Sequence, residues 1–416
     1  MPALASPLPL TETQAPQDQA ALAAALASAH AQGTAVYPIG GGTSLDFGLP
    51  ATIPGIGLTT TNLNRVIDYP ARDMTVTVEA GITLETLAQT LAAERQWLPV
   101  EGAQPQAATL GGLMATAFSG SRRYGYGTLR DYVIGMTAVD VRGVAFKAGG
   151  RVVKNVAGYD FCKLLTGSFG TLGVISQVTL KVRPLPERSA FLVCELHDLD
   201  TAERLLAAIV DSGTIPVAVE LLLGLQWREH PILGTLTAGA IGRLAVGLEG
   251  TAGEVEWMLT QLSAEWNALG ITFAHVVPHD TAHELWQSLR EFPAASDSPL
   301  MLKASVLPSK TTEYVKLVQE LDPQASIQAH AGNGIVTARF ARFDAGDVSR
   351  GLIARLHPAA QRLGGNAVVL SSTLEGWTRQ ALWGNVSPAA PWMGKIKRQF
   401  DPQNLLNPGR FAYDMS

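Results

Sequence analysis

The chain has 416 residues, and at roughly 100–200 residues per domain two domains are expected, or one large domain with a cap. Hydrophobic residues make up 47% and charged residues 16%, which suits a large core and excludes a disordered chain. The net charge of −5, without any basic block of five or more, argues against nucleic acid and anionic membrane as direct partners.

The only cysteines, Cys162 and Cys194, rule out an iron–sulfur cluster held wholly by this chain and a four-cysteine zinc site; no metal ligand set is assigned. Two isolated cysteines suit a reducing cytosol. Residues 20–31 are alanine-rich but lack a basic flank, since the first Lys or Arg is Arg65, so they read as a helix and not a signal peptide. Nowhere are there 18 consecutive apolar residues, so no membrane span is expected.

In chain order, residues 1–17 read as a loose, proline-dotted arm. Asp18 leads into an alanine-rich helix that stops near Gly33. TAVYPI (34–39) is a short strand broken at Gly40, and strands are expected again at 75–79 and 133–141, with a helix over 83–96 between them. The stretch 109–127 is glycine-studded. Residues 154–165 read as a loop entering a short helix, and 174–182 alternates as a strand. From about 187 a β–α alternation begins: strand 191–196, helix 201–213, strand 243–250, helix 254–270. The tail 393–411 predicts a helix stopped at Asp401-Pro402, then an extended segment.

Three glycine clusters fall within the first 175 residues. They are Gly40-Gly41-Gly42-Thr43-Ser44; Gly111-Gly112 with Ala115, Thr116 and Gly120; and Gly167-Ser168 with Gly170, Thr171 and Gly173. Glycine lets several backbone N–H groups crowd round one anion, and Thr or Ser hydroxyls add donors. A diphosphate is the natural occupant. The spacing fits neither a Rossmann GxGxxG, since position 45 is Leu45, nor a P-loop.

YPIGGGTSLDFG, TLGGLMATAFSGSRRYGYGTLRDYVIGMTAVDVRG, KNVAGYDFCKLLTGSFGTLGVISQVTLKVRPLP and the tail IKRQFDPQNLLNPGRF resemble, in this order, the vanillyl-alcohol-oxidase-type FAD-binding superfamily. Within it the chain most resembles the FAD-binding E subunits of three-part bacterial glycolate oxidases. The resemblance implies an α+β fold: a PCMH-type two-subdomain FAD-binding domain (1–186), an α+β cap or substrate domain (187–385), and a C-terminal segment (386–416) returning to the FAD domain. It implies that Gly40, Gly41, Gly42, Thr43 and Ser44 wrap the FAD pyrophosphate. Gly111, Gly112, Ala115 and Thr116 would line the pyrophosphate and flavin edge, and Gly120, Tyr124, Gly125, Arg130 and Asp131 would shape the next loop. Gly167, Ser168, Gly170, Thr171, Gly173 and Val174 would pass near the adenosine half, with Asn407 and Arg410 returning from the tail. Covalent members carry a histidine in the first loop; Thr43, Ser44 and Leu45 offer none, so non-covalent FAD is expected.

For the chemistry, LWQSLR (285–290) resembles the family's Trp-x-x-x-Arg and makes Arg290 the candidate for the substrate carboxylate. QAHAGNG (328–334) resembles a His-Ala-Gly-Asp-Gly loop, with Asn333 in place of the aspartate, and offers His330 as a base. The family's later histidine-containing acidic motif has no counterpart, because 371–385 contains no histidine. The i, i+4 pair His279 and His283 reads as structural beside an Asp280-Thr281 helix cap. Three readings stay open on these residues. The chain is a cytoplasmic subunit oxidising glycolate or D-lactate, with a catalytic FAD subunit and an iron–sulfur subunit as partners that bring it to the membrane periphery; or a flavin-binding assembly subunit without turnover; or a self-sufficient D-2-hydroxy-acid dehydrogenase.

Overall fold

The computed structural model describes residues 8–150, 159–271, 274–294, 298–385 and 387–412. The chain divides into two compact units. The first contains 1–119, 128–185 and 386–416, and the second contains 120–127 and 186–385. The short segment 120–127, which the sequence reading gives to the first domain, thus groups with the second unit. The reason is local: Arg122 forms a buried ion pair with Glu249 (2.7 Å) and stacks over the Trp286 ring (3.7 Å).

Among the described residues the first unit holds two main sheets and a short two-stranded ladder, Gln96–Trp97 with Arg183–Pro184. In the parallel main sheet, strand Gly55–Thr59 lies between Leu10–Gln14 and Ala35–Ile39. Part of the expected loose arm is therefore a strand, because Leu10–Gln14 finds backbone partners on Gly55–Thr59. The other main sheet is antiparallel, ordered Val66–Asp68, Thr75–Glu79, Val174–Lys181, Val133–Val139, Ala145–Gly149. Helix Gln19–Gln32 starts where Asp18 accepts the Ala21 N–H (2.8 Å) and stops at left-handed Gly33. Its Leu22, Leu26 and Ala29 join Val36 and Leu58 of the first sheet, Val139 and Val174 of the second, and Leu405 and Leu406 of the tail in one core. Residues 154–158 of the expected loop lie outside the described residues; the short helix after it spans Phe161–Leu165.

The tail is built into this unit. Helix Ala390–Phe400 ends at Asp401, and Leu406 then lies parallel to Val36, with Val36 N–H donating to Leu405 O (2.8 Å). Lys397, fully buried, donates to Asp401 Oδ2 (2.5 Å), Thr171 O (2.8 Å) and Leu406 O (3.0 Å). Asp401 in turn accepts the N–H groups of Leu405 and Leu406.

The second unit is an eight-stranded antiparallel sheet. Its order is Ala274–Val277, Arg188–Leu196, Gly242–Gly250, Ala218–Leu223, Ser326–His330, Ile335–Phe340, Leu300–Ser305, Asn366–Ser372. Paired residues across such a sheet share a face. One face carries Phe191, Ala218 and Ala245 and packs under helix His279–Glu291 through Leu285, Trp286 and Leu289. Gly247 is required there: a Cβ on it would stand 2.7 Å from the Trp286 ring. Helix His279–Glu291 begins on Pro278, so Asp280-Thr281 lies in its first turn and is not its cap. Helix Leu199–Asp211 lies on the other face, where Ile209 and Val219 border one apolar cavity.

Replacing Lys397 by Met should cost about 3–5 kcal/mol of stability, because it strands a buried carboxylate and two carbonyls. Urea unfolding of wild type and variant checks this.

Candidate functional site

The strand Ala35–Ile39 runs directly into the loop Gly40–Ser44, and helix Leu110–Thr116 lies beside it. The approach of the two segments fixes the residue type. A Cβ on Gly41 would sit 1.6 Å from Ala107 O, so no other residue fits without moving backbone. Thr109 caps the helix by accepting the Gly112 N–H (3.2 Å). The third glycine cluster is tied to the same helix: Gly167 N–H donates to Met114 O (2.8 Å) and Phe169 N–H to Ala115 O (2.9 Å).

Between these three segments runs a groove with two adjoining halves. One, of about 530 Å³, is bordered by Gly40, Gly41, Gly42, Thr43, Ser44, Gly112, Ala115, Thr116, Asn407 and Arg410, together with Pro38, Thr109 and Phe169. The other, of about 430 Å³, is bordered by Gly111, Gly170, Gly173 and Val174 and by the apolar Ile39 and Ile175, and shares Pro38, Gly40, Gly112, Ala115 and Phe169 with the first. Most of the residues that the glycine pattern nominates therefore meet in one place.

The polar groups of the groove suit a dinucleotide. Among the described residues the N–H groups of Gly41, Gly42, Thr43 and Ser44 have no acceptor within the protein, which leaves a cluster of donors for an anion. Asn407 donates to Phe169 O (2.5 Å), while its buried Oδ1 has no partner and can accept a hydroxyl or N–H. Arg410 supplies order, not free charge: its guanidinium caps the carbonyls of Leu45, Phe47 (2.7 Å) and Leu49 (3.2 Å), and burial lowers its pKa.

Other nominated residues lie elsewhere. Ser168 and Thr171 are buried in the third loop, where Thr171 Oγ1 donates to Ser168 O (2.6 Å), and Gly167 is likewise outside the groove lining. Asp131 closes a capping box with Thr128, whose N–H holds its carboxyl below the usual range, and its neighbour Arg130 is exposed. Gly120, Tyr124 and Gly125 belong to the second unit, where Gly125 N–H donates to Val217 O (3.1 Å) and the Tyr124 ring lies against Gly332. Neither cysteine lines the groove: both are buried, and burial raises Cys162 to about 11 and Cys194 to about 12.

In the second unit, the sheet face that carries helix His279–Glu291 also carries polar residues in neighbouring strands. His330 pairs with Glu220, and the next row along runs Gln328, Thr337, Lys303. His330 Nδ1 lies 2.8 and 3.0 Å from the two oxygens of fully buried Glu220, and Gln328 Nε2 donates to Glu220 Oε2 (3.0 Å). Lys303 has no hydrogen-bond partner among the described residues and keeps some solvent access. Desolvation, and then the charge of Arg123, lowers it to about 8. Arg290 sits in the last turn of its helix, donates to Glu291 (3.0 Å), and has no hydrogen bond to the His330 network.

Sequence reasoning passed over Thr109, Phe169, Glu220, Gln328 and Lys303. Thr109 carries a readable signal, a capping residue placed three before Gly112. Glu220 and Lys303 are single charges inside apolar strands (VAVELLL, LMLKAS), and a charge buried in a strand marks a partner or a site.

Comparison with known proteins adds the following. A family model described as "FAD binding domain" matches residues 13–149, and one described as "FAD linked oxidases, C-terminal domain" matches 185–366 and 385–411. Glycolate oxidase subunit GlcD of Bacillus subtilis (strain 168) is 26% identical, over 91% of this chain and 84% of that protein. A probable mitochondrial D-lactate dehydrogenase of Danio rerio is 28% identical, over 90% and 79%. Glycolate oxidase subunit GlcE of Escherichia coli (strain K12) is 27% identical, over 84% and 85%. Among solved structures, an alkyldihydroxyacetonephosphate synthase superposes with a TM-score of 0.68 at 16% identity, covering 96% of this chain and 77% of that one, a likeness of fold.

Gly41→Ala should abolish flavin retention, and Asn407→Ala should weaken it by about tenfold, the equivalent of one lost hydrogen bond. The ratio of flavin to protein absorbance after desalting, followed by titration with FAD, reads both.

Proposed function

We propose, from the premise that this chain belongs to the FAD-linked oxidase family, that it oxidises a small 2-hydroxy acid, glycolate or D-lactate, to the 2-oxo acid. FAD is its cofactor, and it supplies the acceptor for the hydride when bound. Non-covalent binding is favoured because the first loop has no histidine and neither cysteine lines the groove. The chain acts as the FAD-binding subunit of a complex, alongside a catalytic FAD subunit. Its electrons leave for an iron–sulfur partner, since two separated cysteines cannot hold such a cluster here. The names of the relatives, glycolate oxidase subunits and a D-lactate dehydrogenase, support this substrate class and an assembly of subunits.

One observation carries the chemistry: an unpaired ammonium, Lys303, and a carboxylate-paired imidazole, His330, stand on one face of the second unit's sheet. Lys303 holds the substrate carboxylate as a point charge. His330 takes the hydroxyl proton while the Cα hydrogen leaves with its electron pair, so that the C–O bond becomes C=O. Arg290 is the second cation available for the carboxylate, but its present partner is Glu291. A reading without turnover, a flavin-binding assembly subunit, draws on the histidine-free segment 371–385.

Anaerobic addition of glycolate or D-lactate to the purified yellow chain separates these readings. Bleaching of the flavin supports an active site in this chain, and an unresponsive flavin supports the assembly role. Lys303 also sets a pH dependence. Its ammonium is present below about 8 and is lost above it, so glycolate affinity should fall as pH rises through 8, approaching about tenfold per unit. Lys303→Met should bind glycolate at least about tenfold more weakly at pH 7 and respond little to pH, whereas Arg290→Ala should cost less. Titrations followed by flavin absorbance between pH 7 and 9.5 measure this.

A further inference from the structure

We propose that Glu220 is a positioning residue that fixes the tautomer and orientation of His330; the inference rests on His330 acting as the base in the reading above. The geometry is specific. Glu220 is fully buried in the middle of the sheet, and the His330 Nδ1–H reaches both of its oxygens, at 2.8 and 3.0 Å. Its second oxygen is held from another side by Gln328 Nε2 (3.0 Å), and the same amide lies 3.2 Å from Ser121 Oγ. One strand, Ser326–His330, therefore holds the carboxylate through two of its side chains, with Gln328 also reaching Ser121 of the 120–127 segment, and the carboxylate in turn holds one imidazole.

A carboxylate accepts and does not donate, so the proton between the two groups resides on Nδ1. That leaves the lone pair on Nε2, for which the described residues provide no partner. A histidine in this tautomer can take a proton only at Nε2, and its ring cannot flip without losing the Nδ1–H contact shared between the two Glu220 oxygens. A burial this deep also needs a reason. A carboxylate with no exposed surface is costly in a strand that otherwise reads AVELLL, unless its contact serves the site. The other charged groups over this face are engaged or at a remove. Arg122 is paired with Glu249, Arg123 acts on Lys303, and Lys303 lies in the Gln328–Thr337 row, not beside His330.

The test uses the full chain with FAD. In protein labelled with ¹⁵N-histidine, the His330 signals, assigned by their loss in His330→Gln, should show the Nδ1–H tautomer. Glu220→Gln, which keeps the shape, should lose that preference. Its kcat should fall by about 100-fold or more, while KM changes by less than about threefold. Glu220→Asp should recover part of the rate. Gln328→Leu, which leaves the carboxylate in place but frees one oxygen, should lower kcat in the same direction by less, and it serves if Glu220→Gln does not fold. An Nε2–H tautomer in the wild type, or an unchanged tautomer and kcat in Glu220→Gln, would overturn the proposal. Absence of turnover by the wild type would instead sink the hydroxy-acid reading, with the tautomer measurement still deciding the role of Glu220.

Discussion

Lys397 takes its ammonium into the interior, and its three hydrogen bonds go to oxygens from two distant parts of the chain. Asp401 and Leu406 belong to the tail, and Thr171 belongs to the third glycine loop. Removing both charges from water costs several kcal/mol, which is recovered only if the pair is well placed and its remaining sites are satisfied. Here they are, since Asp401 also accepts the N–H groups of Leu405 and Leu406. Those same residues lie against Val36, in the strand that leads to Gly40. The groove is thus assembled around one buried pair: Asn407 reaches Phe169, and Arg410 caps the first loop, because the tail between them and Lys397 is fixed.

The two units divide the work by chemical type. The groove of the first presents backbone N–H groups, hydroxyls and one amide oxygen, with its guanidinium already spent on carbonyls. Such a site recognises a phosphate by shape and dipole and does not titrate. In the second unit Glu220, His330 and Lys303 stand on a single sheet face, where burial lowers Lys303 and Glu220 is hydrogen-bonded by His330 and Gln328. In the proposed reading, the pH dependence therefore comes from Lys303 in the second unit, while the groove for the cofactor lies in the first.

Much of the first unit was legible because its signals are local. Glycine runs, Asp18 before an alanine helix, and Asp401-Pro402 after a lysine-rich helix each state their role within a few residues. The second unit was less legible. Its strands at Ala218–Leu223, Leu300–Ser305 and Ser326–His330 are short runs in which apolar residues are broken by single polar or charged ones, Glu220, Lys303 and Gln328 among them, and periodicity alone cannot assign them to a strand. One of their pairings, Ala218–Leu223 with Ser326–His330, joins residues over 100 apart in sequence, such as Glu220 with His330 at a separation of 110. The same distance hid the clamp on His330. The segment 120–127 was read with its sequence neighbours, although the ion pair of Arg122 with Glu249, 127 residues away, takes it to the other unit.

The route of the chain also sets a timetable. Arg410 lies 365 residues from Leu45, whose carbonyl it caps, and Asn407 lies 238 residues from Phe169. During synthesis the glycine loops emerge early, then nearly all of the second unit passes, and only afterwards does the segment that closes the groove leave the ribosome. The second unit can fold as it is made, being largely contiguous over 186–385. Until then the first lacks the contacts of Val36 with Leu405 and Leu406. Closing of the groove is therefore a late event, which waits for the segment around Asn407 and Arg410 and is slowed by the cost of closing so long a loop.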